Sequence, residues 1–270
     1  TFLIATFEIL AVLVILGCVV FLLRRNVMKL KRFLNNDLDG WPRTDANLIL
    51  IVEITLMSAF LFMNAADFRL QELGVYAGVS EAAFPVSSFI ARLYGDAGAD
   101  GLVMAERACW WYHIVGIFFF LNYLPYSKHL HILLAFPNTY FSNLNPKGRF
   151  TNNETVHNEV KAMLDPSFTP PAPPEGQVQR FGAKDVTDLS WKQLLDAYSC
   201  TECGRCTSAC PANQTGKMLS PRKIMMDTRD RLEEVGKNID ANGEFKEDEK
   251  SLLGNYITPE ELWACTSCNA

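Results

Sequence analysis

The amino-acid sequence predicts an all-α protein in two parts, a transmembrane helix bundle over residues 1–140 and a helical, cysteine-rich domain over residues 186–270. Three observations lead to this fold class. Long apolar runs are confined to the first half, a proline-rich stretch lies within residues 141–185, and six of the eight cysteines follow that stretch. We interpret residues 141–185 as a linker, because proline-rich segments are extended and semi-rigid.

Three apolar runs predict the membrane spans. The first, Phe2–Leu23, contains the single charged residue Glu8 and is long enough to cross a hydrocarbon core of about 30 Å as a helix. The second covers Ala46–Ala66 and contains Glu53, which either bonds to a neighbouring helix or serves in quinone protonation. The third, Cys109–Phe136, has aromatic residues near both ends, as expected at membrane interfaces.

Basic residues predict the orientation of these spans. The loop after the first span is rich in lysine and arginine, whereas the connection over residues 67–108 has three arginines diluted by acids. By the positive-inside rule, the first loop and the C-terminal half lie in the cytoplasm. The basic residues of the first loop are Arg24, Arg25, Lys29, Lys31, Arg32 and Arg43.

Two histidines have the spacing of haem ligands. His113 and His131 are 18 residues apart, which is five helical turns and about 27 Å along one helix. That places one histidine near each side of a membrane, as two b-type haems would need. The alternative is a pair of interfacial or hydrogen-bonded histidines, because axial ligands come in pairs and the first two spans contain no histidine. Pro125 lies between them and is expected to kink or end the helix.

A dense cysteine motif predicts an iron–sulfur cluster. Cys200, Cys203, Cys206 and Cys210, followed by Pro211, form the pattern C-x2-C-x2-C-x3-C-P. This run ligates [4Fe–4S] clusters, and in two-cluster ferredoxins its fourth cysteine ligates the other cluster. Zinc also binds C-x2-C pairs, but four cysteines packed this closely suit a cubane better than a tetrahedral ion.

A second cysteine pair predicts a second cluster. Cys265 and Cys268 match the first half of the same motif, and the sequence stops two residues later, so we expect a truncated domain. Alternatively the pair is isolated, and either binds zinc or is free. Helices are predicted over residues 191–198, over residues 222–234 after the Ser220 N-cap with a stop at Gly236, and over residues 259–264 behind a capping box. These lengths fit an all-α two-cluster ferredoxin domain.

Several stretches resemble a known group of bacterial membrane proteins that bind iron–sulfur clusters. They are the run from Trp110 to His113, the run from Leu124 to His131, Phe181–Asp185 and the cysteine motifs. Over most of residues 45–270 the chain resembles a cytochrome b similar to the nitrate reductase gamma subunit, fused to a di-[4Fe–4S] ferredoxin domain like that of heterodisulfide reductase. The resemblance implies two [4Fe–4S] clusters, haem b on His113 and His131 with partner histidines on a helix before Thr1, and a quinone such as menaquinone. It also implies a multi-subunit complex in the bacterial inner membrane, with a soluble partner such as a CCG-repeat subunit or an electron-transferring flavoprotein.

These features favour a membrane-bound electron-transfer subunit that relays electrons between a cytoplasmic partner and quinone. One alternative is a heterodisulfide-reductase-like or hydroxyacid oxidoreductase whose substrate site lies beyond Ala270. Another is a zinc-binding membrane adaptor. The sequence contains no glycine-rich nucleotide loop and no nucleophile constellation, so no catalytic residue is predicted. With a net charge of -5 and no basic stripe, we expect no nucleic-acid partner.

Overall fold

The computed structural model describes residues 2–34, 36–78, 81–146, 152–171 and 182–268. Within these ranges the regular structure is helical and no β-strand forms, so the predicted all-α class is confirmed. The chain divides into two compact units, residues 1–130 and residues 131–270.

The first unit contains three long helices and one short helix. They are α1 (Phe2–Leu22), α2 (Trp41–Glu72), α3 (Ser87–Ile90) and α4 (Ala99–Tyr123), with a π-helical turn at Leu23–Val27 that extends α1. Helix α2 packs against both α1 and α4. Among the described residues, two helices are long and apolar enough to cross a membrane, namely α1 with its extension and α2. They contain the first two predicted spans.

The third predicted span does not form one helix. Helix α4 ends at Tyr123, and two 3₁₀ turns follow at Leu124–Tyr126 and Lys128–Leu130. Pro125 lies in the first of these turns, where its missing N–H and its ring prevent an α-helix from continuing. A new helix, α5, begins at His131 in the second unit.

A buried carboxylate connects the parts of the first unit. Glu8 of α1 has no exposed surface. One of its oxygens accepts a hydrogen bond from the Asn64 side chain at 3.1 Å. The other accepts the backbone N–H groups of Val86 and Ser87 at 2.9 and 3.0 Å. Glu8 therefore holds the connection before α3 against α1 and α2.

Helix α4 approaches α2 so closely that a Cβ added at Gly116 would lie 2.5 Å from the Leu56 side chain.

The second unit is built from shorter helices. Its elements are α5 (His131–Tyr140), α6 (Glu154–Leu164), α7 (Trp191–Tyr198), α8 (Arg205–Ala209), α9 (Pro211–Gln214), α10 (Pro221–Asn242) and α11 (Pro259–Trp263). A core of Val186, Val235, Leu252 and Ile257 lies between α10 and the segments on either side of it in sequence. Helix α6 falls within the predicted linker, and residues 172–181 of that linker lie outside the described residues.

Local sequence signals predicted several of these helices. Helix α7 has the predicted bounds, and Ser190 caps it with Gln193 in a capping box. The predicted capping box of Thr258 and Glu261 also forms, ahead of α11. The predicted end of α10 at Gly236 is wrong. The helix continues to Asn242 and ends where Gly243 adopts the left-handed conformation, with φ of 82°, that a C-terminal cap requires.

Candidate metal centre

Short helices and turns space the cysteines of the first motif. Helix α7 ends just before Cys200, and Cys203 follows in the loop. Gly204, with φ of 72°, reverses the chain into α8, which carries Cys206. Cys210 then caps α9, whose first residue is a proline. These four cysteines therefore lie around one loop in which the chain reverses its direction.

The two cysteine motifs share an unusual backbone conformation. Glu202 has φ of 55°, and its N–H points at the sulfur of Cys200 with an N···S distance of 3.4 Å. Ser267 has φ of 51°, and its N–H makes the same 3.4 Å contact with the sulfur of Cys265. Residues other than glycine rarely adopt this left-handed conformation. Its recurrence indicates that the second pair begins the same local structure as the first.

The chemistry of these side chains fits iron–sulfur ligation. Burial raises the pKa of the Cys200 thiol, and the positive charge of a bound metal would favour the thiolate that ligation requires. N–H groups directed at the sulfurs are among the features that tune a cluster. Among the described residues, no three His, Cys, Asp or Glu side chains converge closely enough to hold a metal ion. The assignment of Cys200, Cys203, Cys206, Cys210, Cys265 and Cys268 as ligands therefore stays a prediction.

An ion pair lies directly against the first motif. Arg229 of α10 donates to the carboxylate of Glu202 at 2.9 Å, and the side chains are only 16% and 3% exposed. Burial acts to lower the pKa of Arg229, but the charge of Glu202 outweighs it and the net pKa is raised. Sequence reasoning missed both residues. The available signal was an acid between two cysteines together with an arginine on the next long helix.

Comparison with known families decides the character of this region. Residues 199–270 match the family described as the 4Fe-4S dicluster domain, and all six predicted cysteine ligands lie within the match. The chain carries a 4Fe–4S dicluster domain. The prediction of iron–sulfur clusters is thereby confirmed.

Curated relatives extend the likeness beyond the dicluster domain. The chain is 30% identical over 252 residues to the "Probable iron-sulfur-binding oxidoreductase FadF" of Bacillus subtilis, a match that covers 83% of this chain and 32% of the relative. It is 28% identical over 254 residues to the "EtfAB:quinone oxidoreductase" of Syntrophomonas wolfei, covering 86% and 32%. It is 30% identical over 106 residues to a "Probable membrane-anchored ferredoxin" of Chromohalobacter salexigens, covering 33% and 15%.

The chain spans about a third of the length of the first two of these relatives. No solved structure matches it. The dicluster domain identifies the chain as an iron–sulfur protein, and the first two relatives are named as oxidoreductases. The two candidate membrane helices and the membrane-anchored relative favour membrane association.

A buried arginine organises the dicluster domain around α10. Arg231 has no exposed surface and donates to both oxygens of Asp185, with its shortest contact at 2.8 Å. It also donates to both oxygens of Asp248, at 2.6 and 2.9 Å, and to the carbonyl of Lys250. Hydrogen bonds from Arg231 lower the pKa of Asp248 to about 2. Burial acts to raise the pKa of Asp185, but its hydrogen bonds from Arg231 and two backbone N–H groups outweigh burial and lower it.

A second cation on α10 connects this helix to the second cysteine pair. Lys223 contacts Asp227 at 2.6 Å, the carbonyl of Tyr256 at 2.9 Å and Glu261 at 3.1 Å. Glu261 belongs to the capping box of α11, and α11 leads into Cys265. The dicluster domain therefore positions its two cysteine motifs from one helix.

The predicted haem ligands occupy different helices. His113 lies in α4, and its Nδ1 is 2.9 Å from the carbonyl oxygen of Leu56 in α2. Because a carbonyl only accepts, this contact requires the proton on Nδ1, and in a neutral imidazole the lone pair for a ligand is then on Nε2. His131 is the first residue of α5 and belongs to the other unit. The argument from one continuous helix face therefore does not apply, and haem ligation stays a prediction.

Proposed function

We propose that this chain is a membrane-bound electron-transfer subunit that relays electrons between a cytoplasmic redox partner and quinone in a bacterial inner membrane. The observation that carries the proposal is the dicluster domain joined in one chain to two helices of membrane-spanning length and composition. The name of one relative, "EtfAB:quinone oxidoreductase", supports an electron-transferring flavoprotein as the partner and quinone as the second substrate.

The residues fit the roles that the proposal gives them. Cys200, Cys203 and Cys206 would hold one [4Fe–4S] cluster, and Cys210 would join Cys265 and Cys268 at the other. When bound, these clusters supply one-electron transfer. The protein contributes the N–H groups directed at Cys200 and Cys265 and the partial burial of Cys200, Cys203 and Cys210.

Metal analysis tests the cluster assignment first. The chain purified in detergent is expected to contain iron and acid-labile sulfide, and Cys200→Ser is expected to lose a large part of both. Zinc without labile sulfide would reject the electron-transfer function and leave a zinc-binding adaptor.

Electron delivery is tested with both proposed partners. Reduced electron-transferring flavoprotein is expected to bleach the cluster absorbance of the oxidised chain, and a soluble menaquinone analogue is expected to restore it. A chain that flavoprotein reduces but that the quinone analogue does not reoxidise would exclude the quinone role. Digestion of residues 182–268 by trypsin in inverted but not in right-side-out vesicles would support the cytoplasmic orientation.

Haem b is a separate part of the proposal. His113 would hold the haem through Nε2, because its Nδ1 donates to the Leu56 carbonyl and this contact orients the ring. His131 is the second proposed ligand residue. A pyridine haemochrome assay is expected to detect haem b in the unchanged chain and to lose signal in His113→Ala. The matched control is His157→Ala, since His157 is exposed on α6. Equal haem in all three chains would remove His113 from this role.

A further inference from the structure

The two cysteine motifs have one backbone conformation but different side chains at its centre. In both, the residue before the second cysteine has a positive φ and directs its N–H at the first sulfur. That residue is Glu202 in the first motif and Ser267 in the second. The sequences Cys-Thr-Glu-Cys and Cys-Thr-Ser-Cys thus differ by one charged group placed between two predicted ligands.

The charged group is buried and has a specific partner. The Glu202 side chain is 3% exposed, so its charge requires compensation within the protein. Arg229 supplies it at 2.9 Å, from a helix that also packs against α7 and α8. The ion pair fixes the Glu202 side chain on α10.

The second motif lacks such an ion pair. Ser267 carries no charge, and both of its flanking cysteines are exposed. The backbone turn forms there as well, so the turn alone does not require the acid. The pair of Glu202 and Arg229 therefore adds an electrostatic difference between two otherwise similar sites.

We propose that Glu202 and Arg229 are positioning residues that fix the first cysteine motif and give its cluster a reduction potential distinct from that of the second cluster. The inference rests on the proposed function, because it requires clusters at both motifs. Reduction adds one electron, and so one negative charge, to a cluster. Glu202 therefore opposes the reduction of the nearby cluster and Arg229 favours it, and each charge is effective because the pair is largely shielded from water.

Potentiometric titration of the detergent-purified chain with dithionite, followed by electron paramagnetic resonance, tests this. Glu202→Gln keeps the shape of the side chain and removes its charge, so one cluster should become easier to reduce. Arg229→Met should make the same cluster harder to reduce. We expect a change of about tenfold in the reduction equilibrium, which is about 59 mV for a one-electron couple. The matched control is Ser267→Ala, which leaves this cluster unchanged.

The outcomes separate this inference from the proposed function. Absence of iron and labile sulfide from the unchanged chain refutes the proposed function itself. Normal iron and sulfide in Glu202→Gln and Arg229→Met, with potentials that do not move or that move in the same direction, overturns the inference alone.

A loss of iron by Arg229→Met is interpreted with Arg229→Lys, which keeps the charge. Iron retained in Arg229→Lys supports the positioning role. Iron lost from both arginine variants but retained in Glu202→Gln at an unchanged potential shows that the arginine acts independently of Glu202, and overturns the proposal.

Discussion

Replacing Arg231 by methionine should selectively loosen the dicluster domain. The side chain lies wholly inside the domain and makes two-pronged contacts with Asp185 and Asp248. These carboxylates belong to the segment that enters the domain and to the loop after α10. Arg231→Met keeps most of the apolar stem of the side chain and leaves both acids without the guanidinium that compensates them.

The expected loss of stability follows from the burial of the three side chains in this ion-pair network. Their side chains are 0%, 12% and 25% exposed for Arg231, Asp185 and Asp248. Removing one partner of a buried ion pair costs about 3–5 kcal/mol. Because Asp248 can rehydrate, we expect the lower end of that range, about 3 kcal/mol, which is a large share of the ~5–15 kcal/mol that stabilises a typical domain.

Hydrogen exchange measured by mass spectrometry on the full chain in detergent gives the required local resolution. Amides in residues 182–189 and 243–251 should exchange about 100-fold faster in Arg231→Met, since every 1.4 kcal/mol is a factor of ten. The exchange rates in Arg231→Lys should fall between those of the unchanged chain and those of Arg231→Met, because lysine keeps the charge but lacks the planar guanidinium group.

The matched control is Lys237→Met on the same helix. Lys237 is 77% exposed and lies 4.0 Å from Glu233, so its removal should change the local free energy by less than about 0.5 kcal/mol. If exchange in residues 182–189 and 243–251 increases no more in Arg231→Met than in Lys237→Met, the arginine does not hold these segments and the reasoning is refuted.

Three further perturbations test other contacts. The pKa of Asp248 is lowered to about 2 in the folded chain. Its ionised side chain therefore stabilises the fold above the unfolded pKa of about 3.9, and this stabilisation is lost as the pH falls towards 2. In Asp248→Asn, acid unfolding followed by circular dichroism should no longer show this pH-dependent loss of stability. Glu8→Leu leaves three donors without their acceptor, at about 1–3 kcal/mol each, so it should lower the melting temperature in detergent more than Glu8→Gln. Gly116→Ala should lower the stability by about 1–3 kcal/mol, because the added methyl group overpacks against Leu56. Adding Leu56→Ala to Gly116→Ala should relieve this overpacking. The control Gly101→Ala, with no neighbour within 4 Å of the added Cβ, should not destabilise the chain.

Each of these three predictions has an outcome that contradicts it. Identical acid profiles for the unchanged chain and Asp248→Asn would mean that this carboxylate contributes nothing to stability. Equal melting temperatures for Glu8→Leu and Glu8→Gln would remove the hydrogen-bonding role of Glu8. A stable Gly116→Ala chain would show that α2 and α4 separate at little cost.

Local chemistry made part of the structure predictable. The capping boxes of Ser190 and Thr258 involve residues three positions apart, so the sequence alone places the starts of α7 and α11. The cysteine motif is likewise local, and its spacing predicted the dicluster domain. The end of α10 was not predictable from Gly236, because a helix tolerates an internal glycine and ends only where a left-handed residue, here Gly243, satisfies its last carbonyls.

Contacts between residues that are far apart in the sequence could not be predicted from the sequence alone. Arg231 is 46 residues from Asp185, and Glu8 is 78 residues from Val86. No periodicity or motif indicates that such residues are in contact, and in the sequence Glu8 is simply one charged residue in an apolar run. Arg229 was missed for the same reason, since its partner Glu202 lies 27 residues away on the other side of two turns.

Helix α10 also connects the two cysteine motifs. Arg229 contacts the first motif through Glu202, and Lys223 reaches the second through the start of α11. These two residues are six positions apart, which is about 9 Å of rigid helix. A rigid helix therefore links the positions of the two motifs, and in the proposed electron-transfer role it would limit changes in the distance between them.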